Sequence, residues 1–465
     1  MKKRELINIG IPSGEPIRLA IELLRHAPAG KSEKRAMREA LKNVASRPRD
    51  YLNDPIFEPL ARVLVDTAAA QATYEHRTRP AAYRQWGRDL DAMSVRQMEN
   101  ACRLPVAIRG ALMPDAHVGY GLPIGGVLAA EAAVIPYAVG VDIACRMKMT
   151  VLDLPVDHLK RRRDQLTDAI NVETRFGVGA AFKQQRRHDV MDLDWSISSV
   201  TRACKDKAWA QLGTSGSGNH FVEFGMLSID REDLDLPPGS YLALLSHSGS
   251  RGTGAAVCSH YSKLARRQHR ELPKELSQLA WLDLGTEAGA EYWAAMELMG
   301  HYAAANHACI HRHIARHLGA RVLLDLENHH NFAWKEDHDG RQVIVHRKGA
   351  TPAADGVLGI IPGTMANPAY VVRGLGNPES LDSAAHGAGR VMSRKQAKST
   401  LDWKEARMLL AERGVTLLSA GLDEVPMVYK NIDEVMEAQQ DLVHPVARFD
   451  PKLVKMAPAG EWPED

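Results

Sequence analysis

The sequence lacks the features that would place it outside the ordinary globular proteins. Its five cysteines are scattered over 465 residues without a C-x-x-C pair, which excludes a disulfide scaffold and favours a reducing cytoplasm. Aromatic residues make up only 6% of the chain. No apolar run approaches the roughly 20 residues that a membrane helix needs. A net charge of +2 excludes a broadly basic nucleic-acid coat but leaves room for a local basic groove.

Histidine is the residue that the chain has in unusual number. There are 20 histidines, and they do not form a low-complexity tract. Imidazole is the common side chain for metal ligation and for acid–base chemistry near neutral pH. The composition therefore points toward a metal site or a proton-transfer site.

The pattern of apolar residues divides the chain in two. Apolar residues recur at helical spacing over 16–27, 31–45 and 56–72, which predicts a helical N-terminal extension over residues 1–100. From about residue 102, short β-branched runs such as 134–144 alternate with helical stretches. These helical stretches are 156–172, 254–271, 286–318 and 429–443. Strands interleaved with helices predict a mixed α/β catalytic domain over 101–465.

Glycine-rich turns carry the residues with the most distinctive chemistry. Asp142 and Cys145 are three residues apart, and three histidines stand beside glycine, serine or asparagine in separate turns: His220, His247 and His330. A thiolate, a carboxylate and imidazoles together suit zinc or manganese. A lone buried cysteine is more often a small hydrophobe, so the residues leave open both a shared metal site and ordinary packing.

A second set of residues suits phosphate chemistry. His386 lies in the segment HGAGR, where small neighbours leave its ring open to a ligand, as a nucleophilic or acid–base histidine requires. Arg251, Lys348 and Arg390 lie in similar loops and suit phosphate contacts. A turn histidine and ordinary solvated charges are the alternatives.

Four histidines fall on one predicted helix. His307, His311, His313 and His317 include pairs at i,i+4 spacing, which can bind zinc. No H-E-x-x-H motif accompanies them. We therefore expect them to form a polar helix face and not a metal site.

Eight segments keep their order between about residues 105 and 456. They are PDAHVG, VGVDIAC, GSGNHF, HSGSRG, HHN followed by KE, HRKGA, IPGTM and HGAGRVMSR. Together they resemble the RtcB family of RNA-splicing ligases. The resemblance implies an RtcB-like single catalytic domain, preceded here by the helical extension.

The resemblance also implies an activity. The family seals RNA 3′-phosphate or 2′,3′-cyclic phosphate ends to 5′-hydroxyl ends, using GTP and two Mn²⁺ ions, in RNA repair or tRNA splicing. A histidine attacks the α-phosphate of GTP, and the resulting covalent histidine–GMP passes GMP to the RNA 3′-phosphate. RNA and GTP are the implied partners, and the resemblance leaves room for an archease-like activator.

Carried over residue by residue, the resemblance assigns the reaction centre. His386 matches the guanylated histidine, Asp115 matches the carboxylate that orients it, and Cys145 matches the thiolate that bridges the two ions. The remaining metal ligands would be Asp142 and His220 for one ion and His247 and His330 for the other. His330 is preferred to His329 because the family frame continues from Asn331 to an acidic residue five positions later.

The same comparison assigns the contacts to nucleotide and RNA. The residues that would bind GTP or GMP are Asn219, Glu223, Asn331, Ala388, Gly389, Tyr429 and Lys455, with Tyr429 and Lys455 at the guanine. Those that would contact phosphate or RNA are Arg251, Lys348 and Arg390.

Two positions depart from the family pattern D-I-G-C-G-M. Ala144 and Arg146 replace its two glycines. A non-glycine residue is strained wherever the backbone requires a positive φ. We therefore expect either strain at these positions or, at Arg146, an added contact to RNA phosphate. The segment 365–368 also differs from the family pattern.

Two other functions are compatible with the same residues. The first is a metal-dependent 2′,3′-cyclic phosphoesterase that opens cyclic ends without joining them. The second is a non-catalytic protein that binds RNA ends. The complete ligand set and the presence of His386 favour the ligase. No signal peptide is visible at the N-terminus, in keeping with a cytoplasmic location.

Overall fold

The computed structural model describes residues 5–6, 9–11, 15–26, 30–72, 77 and 79–461. The chain divides into two compact units, residues 1–76 with 266–277 and residues 77–265 with 278–465. The predicted boundary between residues 100 and 101 stays a prediction. Within the described ranges, the helices are too short or too polar to cross a membrane.

The first unit is built from amphipathic helices. Their bounds are α1 Glu15–His26, α2 Lys31–Ser46 and α3 Glu58–Ala72, with a 3-10 turn at Pro48–Tyr51. Each matches a stretch that the sequence predicts to be helical. Ile17, Leu41, Val44 and Leu60 meet in a common core, because residues three and four apart share one face of a helix.

The second unit mixes strands and helices, as predicted. Its strands are β1 Ala82–Gln85, β2 Ala107–His117, β3 Ile124–Ala130, β4 Ala133–Val134, β5 Arg146–Leu152, β6 Phe221–Ile229, β7 Gly239–Ser248, β8 Leu282–Asp283, β9 Val322–His329, β10 Asn331–His338, β11 Arg341–Lys348, β12 Ala350–Pro352, β13 Leu358–Ile361, β14 Ala369–Gly374, β15 Ser383–Ala385, β16 Thr416–Ser419 and β17 Val443–Met456. Its helices are α4 Ala92–Cys102, α5 Pro136–Val139, α6 His158–Arg161, α7 Arg163–Glu173, α8 Ser199–Gln211, α9 Arg251–Gln268, α10 Glu287–Leu318, α11 Arg394–Thr400, α12 Trp403–Glu412 and α13 Ile432–Glu437.

Two larger sheets organise this unit. One has the order β1-β2-β3-β11-β10. The other has the order β13-β14-β17-β6-β7-β5-β9, with β16 paired to β17. Neighbouring strands along this second path, from β14 to β5, are antiparallel.

Both faces of the larger sheet are covered. In β7, Ala243 and Leu245 face one apolar cluster. Leu242 and Leu244 face another cluster, which includes Ile310 of α10. Successive side chains of a strand point to opposite faces, so burial on both sides explains why this strand reads as a continuous apolar run.

Two predicted elements differ from the structure. The run 134–144 is predicted to be a strand, but its residues 136–139 form the short helix α5, because Pro136 stands at the first helical position and Gly140 ends the helix with φ +110°. The expected helix over 429–443 is reduced to α13. Residues 438–442 form a turn, and the chain then enters β17, which pairs with β14 and β6.

Candidate active site

Four strand ends of the larger sheet bring the predicted metal ligands together. Cys145 directly precedes β5, His220 directly precedes β6, His247 lies near the end of β7, and His330 directly follows β9. Since these neighbouring strands run antiparallel, the start of one lies beside the end of the next. The four residues therefore share one edge of the sheet although they are far apart in sequence.

Their ligand atoms form a dense buried cluster. The Sγ atom of Cys145 lies 3.1 Å from Nε2 of His247 and 3.5 Å from Nε2 of His220. Nε2 of His247 lies 3.1 Å from Nε2 of His330. Nε2 of His220 lies 3.1 Å from Oδ2 of Asp142. All five side chains are buried.

The cluster divides into two trios that share the sulfur of Cys145. Asp142 and His220 complete one trio, and His247 and His330 complete the other. Within each trio the ligand atoms lie within 4.8 Å of one another. One thiolate between two groups of nitrogen and oxygen donors suits a borderline divalent cation, so these residues could hold metal.

The protonation states of the imidazoles fit that reading. Nδ1 of His247 lies 3.1 Å from the backbone carbonyl of Asn219. Because a carbonyl only accepts, Nδ1 carries the proton and the lone pair of the neutral ring is on Nε2. Burial lowers the pKa of His247 to about 3 and that of His330 well below its usual value. Both rings are therefore neutral, as ligation requires.

The environment of Asp142 favours its anionic form. Burial by itself would raise the pKa of this carboxyl, but its hydrogen bond and charge interaction with His220 outweigh burial and lower the pKa. The backbone N–H of Ser250 also donates to Oδ1 at 3.0 Å. The negative charge at this edge of the sheet is thus available to a cation.

A second pair of side chains stands beside the cluster. Nδ1 of His386 lies 2.6 Å from Oδ2 of Asp115, and the backbone N–H of His386 donates to the same oxygen at 3.2 Å. The carboxylate therefore fixes the tautomer in which the lone pair of His386 is on Nε2. The ring centroid of His386 is 4.9 Å from that of His330, which places this imidazole at the cluster.

A cavity of about 700 Å³ opens beside these groups. Six of the seven residues predicted to bind the nucleotide line it: Asn219, Glu223, Asn331, Ala388, Gly389 and Tyr429. Gly389 has φ +74°, and a side chain there would overlap the carbonyl oxygen of Asp115. Burial raises the pKa of Glu223 well above its usual value, which favours the neutral carboxyl that can donate a hydrogen bond.

Two of the three predicted phosphate contacts also line the cavity. Burial lowers the pKa of Lys348 to about 7, and its ammonium donates to the carbonyl of Tyr120 at 2.5 Å. Arg390 donates to the carbonyl of Asp423 at 2.9 Å, and its guanidinium lies 5.3 Å from the centroid of the Tyr429 ring. Both side chains are thus held in place at the cavity wall.

Two of the residues expected to contact nucleotide or phosphate do not line the cavity. Arg251 is fully buried and outside the cavity wall, where it donates to the hydroxyl of Thr214 and the carbonyl of Gly177. Lys455 lies on the opposite face of β17 from Val454, which lines the cavity. Its ammonium instead donates to Asn171 at 2.6 Å. Strand alternation, which separates neighbouring side chains, places Lys455 away from the cavity.

The two departures from the family pattern have different outcomes. Ala144 has φ +57°, so the expected strain is present at this residue. Arg146 has ordinary strand geometry and is buried. Its guanidinium lies 3.0 Å from Glu327 and donates to the carbonyl of Gly300 at 3.1 Å. The alternative expectation of an RNA-phosphate contact at Arg146 is therefore corrected.

The helical histidines only partly form the expected polar face. His313 and His317 pair with acidic side chains, as that expectation requires. His307 and His311 are buried, and each ring has a nitrogen 2.7 Å from the hydroxyl of Ser246. They face the sheet because α10 packs against β5 and β7.

Sequence reasoning missed a buried acidic residue at the cavity. Glu424 pairs with the guanidinium groups of Arg390 and Arg394 and accepts a hydrogen bond from Tyr429. It lies in the segment GLDEVP, five residues before Tyr429. That proximity was the available signal, but the segment carries no motif that marks it.

Comparisons with known proteins confirm the family resemblance that the sequence motifs indicate. The family model described as tRNA-splicing ligase RtcB matches residues 97–200 and 190–456. An RNA-splicing ligase RtcB of Escherichia coli strain K12 is 33% identical over 398 residues, covering 79% of this chain and 95% of that protein. The tRNA-splicing ligase RtcB of Nanoarchaeum equitans is 31% identical over 436 residues, covering 77% and 90%. The RNA-splicing ligase RtcB of Mycobacterium bovis is 33% identical over 431 residues, covering 76% and 98%.

Proposed function

The chain belongs to the RtcB family of RNA-splicing ligases, and from that membership we propose that it joins RNA ends. In this proposal a 3′-phosphate or 2′,3′-cyclic phosphate end is sealed to a 5′-hydroxyl end, with GTP as the energy source and Mn²⁺ as the metal. The observation that carries it is the position of His386, whose ring is oriented by Asp115 and lies 4.9 Å from the ring of His330 in the cluster.

His386 is the proposed nucleophile. Its Nε2 lone pair attacks the α-phosphorus of GTP, a nitrogen–phosphorus bond forms, and pyrophosphate leaves. The ring becomes cationic in this step, because Nδ1 keeps its proton, and the carboxylate of Asp115 opposes that charge. GMP then passes to the RNA 3′-phosphate, and the 5′-hydroxyl of the second RNA end displaces it. A cyclic end must first be hydrolysed to a 3′-phosphate.

The buried cluster is the proposed site of two Mn²⁺ ions. Asp142, Cys145 and His220 would hold one ion, and Cys145, His247 and His330 would hold the other. When bound, such ions polarise phosphate oxygens and stabilise the charge that develops on them. The protein supplies the neutral imidazoles and the anionic carboxylate described above.

The cavity is the proposed place of GTP. Its lining combines polar side chains with the backbone of a glycine-rich turn, a combination that suits a nucleotide. The proposed contacts are those of Asn219, Glu223, Asn331, Ala388, Gly389 and Tyr429. Lys348 and Arg390 would oppose the phosphate charge.

The proposal is tested with α-labelled GTP. Protein incubated with this nucleotide and Mn²⁺ is run on a denaturing gel, and the labelled peptide is mapped. Acid-labile label on His386, followed by joining of RNA with 3′-phosphate and 5′-hydroxyl ends, is the expected result. Absence of label in protein that demonstrably holds Mn²⁺ would contradict ligation and favour the phosphoesterase or the end-binding function.

A further inference from the structure

One exposed aromatic side chain stands out on the surface. Tyr120 is 59% exposed, whereas every other phenylalanine, tyrosine and tryptophan of the described ranges is buried or half-buried. Val118 and Val391 are also exposed, and both line the same cavity as Tyr120. Single exposed apolar side chains are common on proteins, but these three share the mouth of one functional cavity.

The loop that carries Tyr120 is fixed by its backbone. The N–H of Gly119 donates to Oε1 of Gln97 at 3.0 Å, and the amide of Gln97 donates back to the carbonyl of Gly119 at 2.5 Å. The carbonyl of Tyr120 accepts from Lys348 at 2.5 Å. Hydrogen bonds thus fix the backbone at Gly119 and Tyr120, while the ring of Tyr120 remains exposed.

The next residue restricts the loop further. Gly121 has φ +74°, and a Cβ atom there would lie 3.0 Å from the carbonyl oxygen of Gln278. Such a turn suits glycine and no bulkier residue. The ring of Tyr120 is therefore presented from a preorganised loop, which reduces the entropy that binding costs.

The position of this ring relative to the reaction centre indicates its ligand. The cavity that Tyr120 lines also contains Cys145, His330 and His386. An RNA strand whose end reacts there must leave the cavity through its mouth. Single-stranded RNA is bound by stacking of its bases on exposed aromatic rings.

We propose that Tyr120 is a stacking platform for a nucleobase next to the reacting end of the RNA. This inference rests on the proposed function, because it supplies a subsite for the RNA of that reaction. The stacked base is read by its flat face, so the platform accepts every base. Its consequence is affinity for single-stranded ends without strong sequence preference.

The test compares Tyr120→Ala with Tyr120→Phe. Stacking on an aromatic ring contributes about 5- to 150-fold to the affinity per base. We expect Tyr120→Ala to raise the KM for RNA by about tenfold or more, and Tyr120→Phe to restore it. Covalent labelling by GTP, a step in which no RNA takes part, is measured for each variant and compared with its KM for RNA. Met408→Ala, which changes an exposed residue of α12 outside the cavity, is the matched control.

A substrate without the base identifies the contact. RNA that is abasic at the terminal nucleotide of one end should bind wild-type protein as weakly as Tyr120→Ala binds intact RNA, and the substitution should weaken it no further. An unchanged KM for RNA in Tyr120→Ala would overturn the platform. So would losses of affinity from the substitution and from the abasic nucleotide that add up, whichever RNA end is abasic. A loss of labelling by GTP as large as the loss of RNA affinity would also overturn it. If the wild-type protein is never labelled by GTP, the proposed function is contradicted instead. Fluorescence anisotropy, which measures RNA affinity directly, would then still compare the wild type with Tyr120→Ala.

Discussion

The ring centroids of His330 and His386 lie 4.9 Å apart, with their planes inclined by 50°. This contact joins two groups of residues that are otherwise distinct. His330 belongs to the trio that includes Cys145 and His247, while His386 is held by Asp115. The proposed nucleophile and the proposed metal ligands therefore share one space, in which a phosphate group could contact both.

Replacing Asp115 with asparagine should slow guanylation about 10²- to 10⁴-fold. The side chain is completely buried and faces the ring of His386, and the substitution removes the charge that stabilises this ring when it becomes cationic. Transfer of α-labelled GMP to the protein measures the rate. Asp89→Asn, at an exposed aspartate, is the matched control. Equal rates in both variants would contradict an electrostatic role for Asp115.

Replacing His386 with alanine should abolish the covalent GMP adduct while Mn²⁺ binding stays largely intact. The reason is that His386 contributes to neither trio of metal-ligand atoms. Labelling by GTP and a parallel Mn²⁺ titration check the two halves of this expectation. Persistent label in the variant would assign the nucleophile to another residue.

Replacing Cys145 with alanine should weaken both metal sites together. A single sulfur belongs to both trios, so its loss removes one ligand from each. Titration with Mn²⁺, followed by calorimetry or electron paramagnetic resonance, measures the stoichiometry. Cys204→Ala changes a buried cysteine outside both trios and should leave both sites intact. Loss of only one site in Cys145→Ala would contradict the shared sulfur.

The metal-free protein should lose stability as pH falls from about 6.5 toward 4. Burial lowers the pKa of His346 to about 4, and its ring accepts from the N–H of Ile135 at 2.9 Å. The unfolded chain takes up this proton near pH 6.5, whereas the folded chain resists it, so acid favours unfolding across that window. This histidine contributes up to about 3 kcal/mol of the loss.

His346→Leu isolates that contribution. The variant is expected to be less stable at neutral pH, because two buried hydrogen bonds of the ring are lost. Its unfolding free energy should nevertheless depend less on pH between 6.5 and 4. Thermal unfolding in the presence of a chelator measures both quantities. An unchanged pH dependence would show that His346 is already protonated in the folded state.

Replacing Ala144 with glycine should stabilise the protein by about 0.5–1 kcal/mol. The left-handed conformation at φ +57° costs alanine about 1–2 kcal/mol, and part of the gain is lost to the more flexible unfolded chain. Ala144→Val should be clearly destabilising, because a branched side chain tolerates this φ poorly. Denaturant unfolding compares the three proteins. A less stable glycine variant would contradict strain at this loop.

Much of the fold could be predicted from periodicity. Helical spacing of apolar residues marked α1, α2, α3 and α10, because burial requires this pattern locally. The region 429–443 could not be predicted in the same way. Its helical pattern extends past α13, but residues 438–442 form a turn that leads into β17, whose partners β14 and β6 lie far away in sequence.

The sequence by itself determined which residue types could form the site. The order of the motifs selected Asp142, Cys145, His220, His247 and His330, and the structure brings all five within one cluster. Only the tertiary structure decided where each side chain points. It places His330 in the cluster and His329 against Phe332 and Trp334. Neighbours on an extended chain face opposite sides, and which side becomes the site depends on strands that pair across the whole chain.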